Sequence, residues 1–160
     1  MSKNEIIIDG DVAIVKTNKG DMIIDAENLD KLQGRTVWVD RGYAHICLNG
    51  KNVRVHRLLM GFPSTDIDHR NRNKLDNRMC NLRACTVAQN NCNRGAMRNN
   101  KSGLRGVSLA SDKTRTKPWR AVIETQGKKY YLGYFYTKEE AYKAYCDKAR
   151  ELFGEYAGVD

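Results

Sequence analysis

The sequence predicts an α+β chain made of small antiparallel sheets and few helices, and three observations predict it. Residues 5–55 are a succession of short β-rich runs (Ile6-Ile7-Ile8, then residues 12–15, 22–24, 37–39, 45–48 and 53–55). Asp-Gly, Lys-Gly, Arg-Gly and Asn-Gly turn signals separate them. Two further strand runs near the C-terminus face each other across Gln126-Gly127. One long amphipathic helix follows them, opening at Thr137. Three parts are expected: a β-rich N-terminal region over 1–54, a central core over 55–98, and a C-terminal domain over 99–160.

In the first part, residues 26–32 suit a short helix capped by Asp25. Residues 1–54 otherwise show no chemistry and read as a supporting β layer or a contact surface. The central part opens with Val55-His56-Arg57-Leu58-Leu59-Met60, an apolar stretch that stops at Gly61-Phe62-Pro63. Asp68-His69, a polar loop and a short strand at Asn81-Leu82-Arg83 come next. Thr86 then caps a helix from Val87 to about Arg94, and residues 95–103, small, polar and basic, read as a linker. In the C-terminal part residues 104–109, 119–125 and 128–135 read as three strands. Thr137 and Glu140 form a capping box. Ala141, Ala144, Tyr145, Ala149, Leu152 and Phe153 make the apolar face of the helix, and Gly154 ends it.

Composition narrows the function classes. Apolar residues make up 41% of the 160 positions, enough for a packed core, and no apolar run approaches a membrane span. No charged–apolar–small leader opens the chain, so a cytoplasmic protein, in a bacterial or phage-infected host cell, is expected. The five cysteines form no C-x-x-C pair and read as reduced thiols. Cys80, Cys85 and Cys92 are poorly spaced for a zinc knuckle. The net charge of +9 is uneven: residues 1–54 are neutral, 55–98 carry +5 and 99–160 carry +4. Within the last part, residues 99–136 hold eight basic and two acidic side chains. A polyanion is the natural partner of such a surface, because phosphate neutralisation releases counterions.

The motif that carries chemistry is Asp68-His69, eleven residues, Asn81, eight residues, Asn90. Phosphodiester hydrolysis needs a nucleophilic water, a general base, and a cation on the scissile phosphate. Histidine is a base near neutral pH. A carboxylate and a carboxamide oxygen suit Mg²⁺ or Mn²⁺, hard ions that accept few protein ligands. On an extended strand, Asp68 and His69 point to opposite sides. Asn90 falls on the first turns of the helix after Thr86, and Asn81 is placed to tie down the loop and orient His69. A lone Asp-His pair would read as a loop histidine; both asparagines at their offsets argue otherwise. Arg70, Arg72, Arg78 and Arg83 are candidate phosphate clamps, with Arg70 and Arg72 the stronger two.

Residues 52–98 resemble the HNH nuclease family in their D-H … N-L-R … T-x-x-x-N pattern. The resemblance implies a ββα-metal nuclease core with His69 as general base, Asn81 as the structural central residue, and Asp68 and Asn90 as ligands of one divalent ion, Mg²⁺ or Mn²⁺. The last family position is often histidine; Asn90 stands there in this chain, as in homing-type members, with Asn91 a close competitor. His56 recurs in that subfamily and reads as packing or a phosphate contact.

Ser102-Gly103-Leu104-Arg105-Gly106-Val107, Trp119-Arg120-Ala121, Leu132-Gly133-Tyr134-Phe135 and Phe153-Gly154-Glu155-Tyr156-Ala157 resemble the AP2/ERF DNA-binding domain. That resemblance implies a three-stranded sheet in the major groove with a helix packed behind it. Its DNA-facing positions fall on Arg105, Ser108, Arg120, Val122, Glu124, Lys129 and Tyr131. Period-two alternation agrees: Trp119, Ala121 and Ile123 share one face, and Arg120, Val122 and Glu124 the other.

The expected function is that of a metal-dependent, homing-type HNH endonuclease acting on double-stranded DNA at sites selected partly by the AP2-like domain. A non-cleaving, sequence-specific DNA-binding regulator is the alternative. No small-molecule cofactor or membrane partner is expected, and monomer or dimer is left undecided.

Overall fold

The computed structural model describes residues 4–96, 99–112 and 114–159. The fold is mixed α and β, with small antiparallel sheets and few helices, and it divides into two compact units, Met1–Thr86 and Val87–Asp160.

The first unit opens with two meanders. Strands β1 (Ile6–Asp9), β2 (Val12–Thr17) and β3 (Gly20–Asp25) form one sheet. Strands β4 (Trp38–Asp40), β5 (Tyr43–Leu48) and β6 (Lys51–Arg54) form the other. Both hairpins of the second sheet turn on two residues with positive φ, Arg41-Gly42 (49° and 81°) and Asn49-Gly50 (50° and 74°), the twist-matched tight turn that X-Gly signals. Alternate side chains point inward, Ala13 and Val15 on β2, Met22 and Ile24 on β3, Ala44 and Ile46 on β5. The expected helix over 26–32 is a 3-10 helix, Ala26–Leu32. Its Asp25 carboxylate accepts the Met79 N–H at 2.7 Å, so it ties down a remote loop.

A short helix, α1 (Val55–Leu59), buries Val55, His56 and Leu59. Strands β7 (Asp66–His69) and β8 (Leu82–Cys85) then pair antiparallel, with Asp68 opposite Arg83 and His69 opposite Leu82. Residues from both meanders, α1 and this hairpin share one hydrophobic core: Ala13, Val15, Met22, Ile24, Ala44, Ile46, Val55, Leu59, Ile67 and Leu82 belong to it. The β-rich residues before position 55 therefore do not have a core of their own.

The second unit begins with α2 (Val87–Cys92), shorter than the helix expected to about Arg94. Strands β9 (Val107–Leu109), β10 (Trp119–Thr125) and β11 (Lys128–Phe135) form an antiparallel sheet in the order β11-β10-β9. The strand expected from 104 begins only at Val107, because Gly103 and Gly106 both take φ of 72°. Ser102 Oγ accepts the Leu104 N–H at 3.1 Å and holds the turn. Helix α3 (Lys138–Phe153) packs on the sheet through Ala141, Tyr145, Cys146 and Ala149. Its predicted capping box is present: Glu140 N–H donates to Thr137 Oγ1 at 3.1 Å, and Thr137 N–H to Glu140 Oε2 at 3.3 Å.

One sheet feature has no counterpart in the sequence pattern. Ala121 faces Gly133 and Val122 faces Tyr131, so Leu132 is an extra residue and the sheet carries a β-bulge. The bulge changes the parity of β11, so that Tyr130 and Leu132 face α3 before it and Phe135, not Tyr134, does so after it.

Gly106→Ala tests this packing. A Cβ at position 106 would meet the Tyr145 ring and lie 2.7 Å from the Val122 carbonyl oxygen, at a φ that disfavours L side chains. The substitution is expected to cost about 2–4 kcal/mol, combining overpacking with left-handed strain. Denaturant or thermal unfolding of the full chain reads it.

Candidate active site

The site is built where β7 ends. Asp68 and His69 are both buried there, as is Arg83 on β8. The Asp68–Arg83 cross-strand pair is an ion pair: Arg83 Nε and one Nη donate to the same carboxylate oxygen at 2.9 and 2.7 Å. Breaking such a pair would leave an uncompensated buried charge, so Arg83 fixes the rotamer of Asp68. Arg83, a candidate phosphate clamp in the sequence, serves this internal pairing instead.

His69 lies within 3.3 Å, Nε2 to Oδ1, of Asn77, which is fully buried. The Asn77 amide nitrogen donates to the Leu75 carbonyl at 3.2 Å, so its oxygen is the group turned toward the ring. Donation from Nε2 of a neutral ring to this oxygen is the tautomer that suits the contact. Burial holds the His69 pKa below the ordinary imidazole value, against the opposing effects of the Asn77 hydrogen bond and of Asp68 and Asp76. The ring is thus neutral at pH 7 and able to accept a proton.

Asn81 closes the connection between β7 and β8. Its amide donates to the Asp76 carbonyl at 2.7 Å and its oxygen accepts the Asn71 N–H at 2.9 Å. These two bonds hold the connection, and Asn77 supplies a hydrogen bond to the His69 ring. Asp76 is buried and accepts from Arg78 at 2.8 and 2.7 Å and from Asn71 at 2.8 Å. Arg78 holds its carboxyl below the usual range. Arg78, a weaker clamp candidate in the sequence, pairs with Asp76 while its side chain stays partly exposed. Arg70 and Arg72 are exposed on the same connection, with Arg72 at a φ of 63°.

The connection is also attached to β3. Ile23 N–H donates to the Leu75 carbonyl at 2.8 Å, and Asn77 N–H to the Ile23 carbonyl at 2.7 Å. Sequence reading missed Asp76 and Asn77. Their only signal is that an Asp-Asn-Arg run sits inside a loop bounded by the two motif residues, His69 and Asn81.

Behind His69 stands a second imidazole. The His56 and His69 rings meet edge to face at 5.2 Å, and Tyr43 lies 5.4 Å from His56 and 6.2 Å from His69, between ring centroids. His56 is 4% exposed, and its Nδ1 is a buried atom with no hydrogen-bond partner among the described residues. Burial, then the neighbouring His69, pushes its pKa down to about 3. His56 is a packing residue that stays neutral.

Asn90 and Asn91 lie on α2, in the second unit, Asn90 half-buried and Asn91 exposed. Among the described residues no group of three or more His, Cys, Asp or Glu side chains is placed to hold a metal. Burial raises the Cys85 thiol to about 11 and raises Cys92 as well, so both stay protonated.

In the second unit, Arg120, Lys129 and Tyr131 are on the outer face of the sheet, with Tyr131 70% exposed. Glu124 pairs with Lys129 at 3.4 Å on that face. Ser108 Oγ lies 3.4 Å from the Arg120 guanidinium, and Val122 is half-buried. Arg105, an expected DNA-facing position, is engaged within the unit. Its guanidinium donates to the Cys92 carbonyl and, at 2.6 Å, to the Arg94 carbonyl, closing the end of α2.

Residues 61–92 match the HNH endonuclease family. The matched segment begins just before β7 and includes Asp68, His69, Asn77, Asn81 and Asn90. An uncharacterized HNH endonuclease of Acanthamoeba polyphaga mimivirus is 34% identical over 91 residues, 57% of this chain and 44% of that protein. The chain thus spans less than half the length of this relative. No solved structure matches the chain. No helix among the described residues is long and apolar enough to cross a membrane.

The buried His56 makes stability pH-dependent. Between the ordinary value of 6.5 and about 3, the unfolded chain binds a proton at His56 that the folded chain excludes. As pH falls through this window, His56 alone should remove about 1.4 kcal/mol of stability per pH unit. Above pH 6.5 the effect is absent. Melting curves across that range, compared with His56→Phe, should show the variant losing this part of the slope.

Proposed function

We propose that this chain is a metal-dependent DNA endonuclease of the HNH type. The observation that carries the reading is the neutral, buried His69, turned by Asn77 and set beside Asp68, inside the segment that matches HNH endonucleases. In the proposed reaction His69 takes a proton from water, and the water oxygen bonds to phosphorus. One ester P–O bond breaks, and the departing oxygen leaves with a proton from solvent or from the protonated ring.

The donor chemistry fits a hard divalent cation. Asp68 offers a carboxylate oriented by Arg83, and the motif supplies the Asn90 carboxamide, both oxygen donors of the type Mg²⁺ and Mn²⁺ prefer. When bound, such an ion stabilises charge on the phosphoryl and leaving oxygens. Asn81 acts as a positioning residue, because it holds the connection that carries Asn77.

The second unit is read as a DNA-binding module of AP2 type that helps choose the site. The outward Arg120, Lys129 and Tyr131 on a sheet backed by α3 support this, since antiparallel strands can enter a groove. A tethered reader raises the effective concentration of a small nuclease at selected sequences, as in homing-type enzymes.

A plasmid-nicking assay tests the nuclease reading. Cleavage should require Mg²⁺ or Mn²⁺, stop in EDTA, and fall roughly 10²–10⁴-fold in His69→Ala, with DNA binding retained. Loss of activity in Asn91→Ala but not Asn90→Ala would assign the carboxamide ligand to the neighbouring residue. Binding without cleavage under all metal conditions would replace the enzyme with a DNA-binding regulator.

The reader is tested separately. Arg120→Ala should weaken binding to the preferred duplex by about 1–3 kcal/mol and relax the preference at one base position. Unchanged site choice in that variant, read by end-mapping of cleaved libraries, would remove Arg120 from base recognition.

A further inference from the structure

The second meander carries a cluster that the proposed reaction does not use. Tyr43 opens β5 directly after the Arg41-Gly42 turn, and its ring stands against both His56 and His69. Two cations lie over this one ring: the Arg54 guanidinium 4.6 Å and the Lys74 ammonium 4.4 Å from its centroid. Arg54 ends β6, and Lys74 is on the connection between β7 and β8. The Lys74 stem runs over the turn, since a Cβ built on Gly42 would be 3.6 Å from its Cδ.

Neither cation has a carboxylate in salt-bridge range among the described residues, although Asp68 and Asp76 nearby are each matched to an arginine. Both cations are exposed. Their fields reach the two imidazoles, Arg54 acting on His56 and Lys74 on His69. A cation–π contact leaves the charge of each group intact. Two like charges gathered at one ring repel, and an anion between or beside them would relieve that repulsion. Arg offers a planar fork and Lys a point charge, both suited to phosphate oxygens.

We propose that Tyr43, Arg54 and Lys74 form a phosphate clamp that holds a DNA backbone phosphate neighbouring the one attacked at His69. The proposal rests on the nuclease reading for the identity of the anion. It gives the N-terminal β region a part in substrate binding, with Tyr43, 6.2 Å from the His69 ring, as the platform over which both cations lie. Tyr43 is thereby a positioning residue, and Arg54 and Lys74 make the contact.

The test is duplex-DNA affinity of the full chain, measured in EDTA over a series of salt concentrations. Arg54→Gln and Lys74→Gln should each lower affinity and make the slope of log K against log salt shallower by about 1, and the double variant by about 2. Tyr43→Phe, which keeps the ring face, should behave as the parent, and Tyr43→Leu should lose affinity. A duplex with one phosphate replaced by a neutral methylphosphonate beside the cleavage position should bind the parent more weakly. The double variant should not distinguish it from unmodified DNA.

Parental affinity and slope in the double variant, with an unchanged melting temperature, would overturn the clamp while leaving the nuclease reading intact if Mg²⁺ or Mn²⁺ still supports cleavage. If no cleavage occurs with either metal but the cation variants flatten the salt slope, the nuclease reading falls and the clamp stands as a DNA contact.

Discussion

The attachment of residues 75–77 to β3 determines where Asn77 stands, and through Asn77 how the His69 ring is held. The connection between β7 and β8 is otherwise polar chain, which by itself would sample many conformations. Two backbone hydrogen bonds to Ile23, the Asn81 bonds to Asn71 and Asp76, and the Met79 bond to Asp25 remove that freedom. Each of these groups would cost free energy if buried without a partner, so they act together. The first meander is in this sense part of the site: its β3 is the template on which the loop is laid.

Charge in the first unit follows one rule, and the departures from it are informative. Asp68 is matched to Arg83 and Asp76 to Arg78, both in close geometry. The two buried imidazoles avoid the cost of burying charge by staying neutral. A neutral His69 suits a general base, whereas His56 packs, its Nδ1 without a hydrogen-bond partner among the described residues. Arg54 and Lys74, in contrast, gather over the Tyr43 ring with no carboxylate in salt-bridge range among the described residues.

The second unit shows how a small sheet and one helix can close a core. Alternation along β10 sends Trp119, Ala121 and Ile123 to α3 and leaves Arg120 and Glu124 outside. On β11 the bulge at Leu132 lets both Leu132 and Phe135 reach the core, which strict alternation would forbid. Gly106 is required where the chain enters this sheet, since the Tyr145 ring occupies the space a side chain would need.

Local features were legible in the sequence because they depend on neighbours along the chain. The X-Gly turns, the strand runs, the capping box of Thr137 and Glu140 and the apolar face of α3 all follow from short-range sterics and periodicity. The Asp68-His69 and Asn81 signals were legible because their spacing is itself the signal. What the tertiary structure decided are the pairings between distant segments. Ile23 with Leu75 and Asn77, Arg83 with Asp68, Arg105 with the end of α2, and Tyr43 with His56, His69, Arg54 and Lys74 join residues whose separation carries no pattern. Which arginine meets a carboxylate and which faces solvent depends on where the core closes. In the first unit one core is assembled from both meanders, α1 and the β7–β8 hairpin.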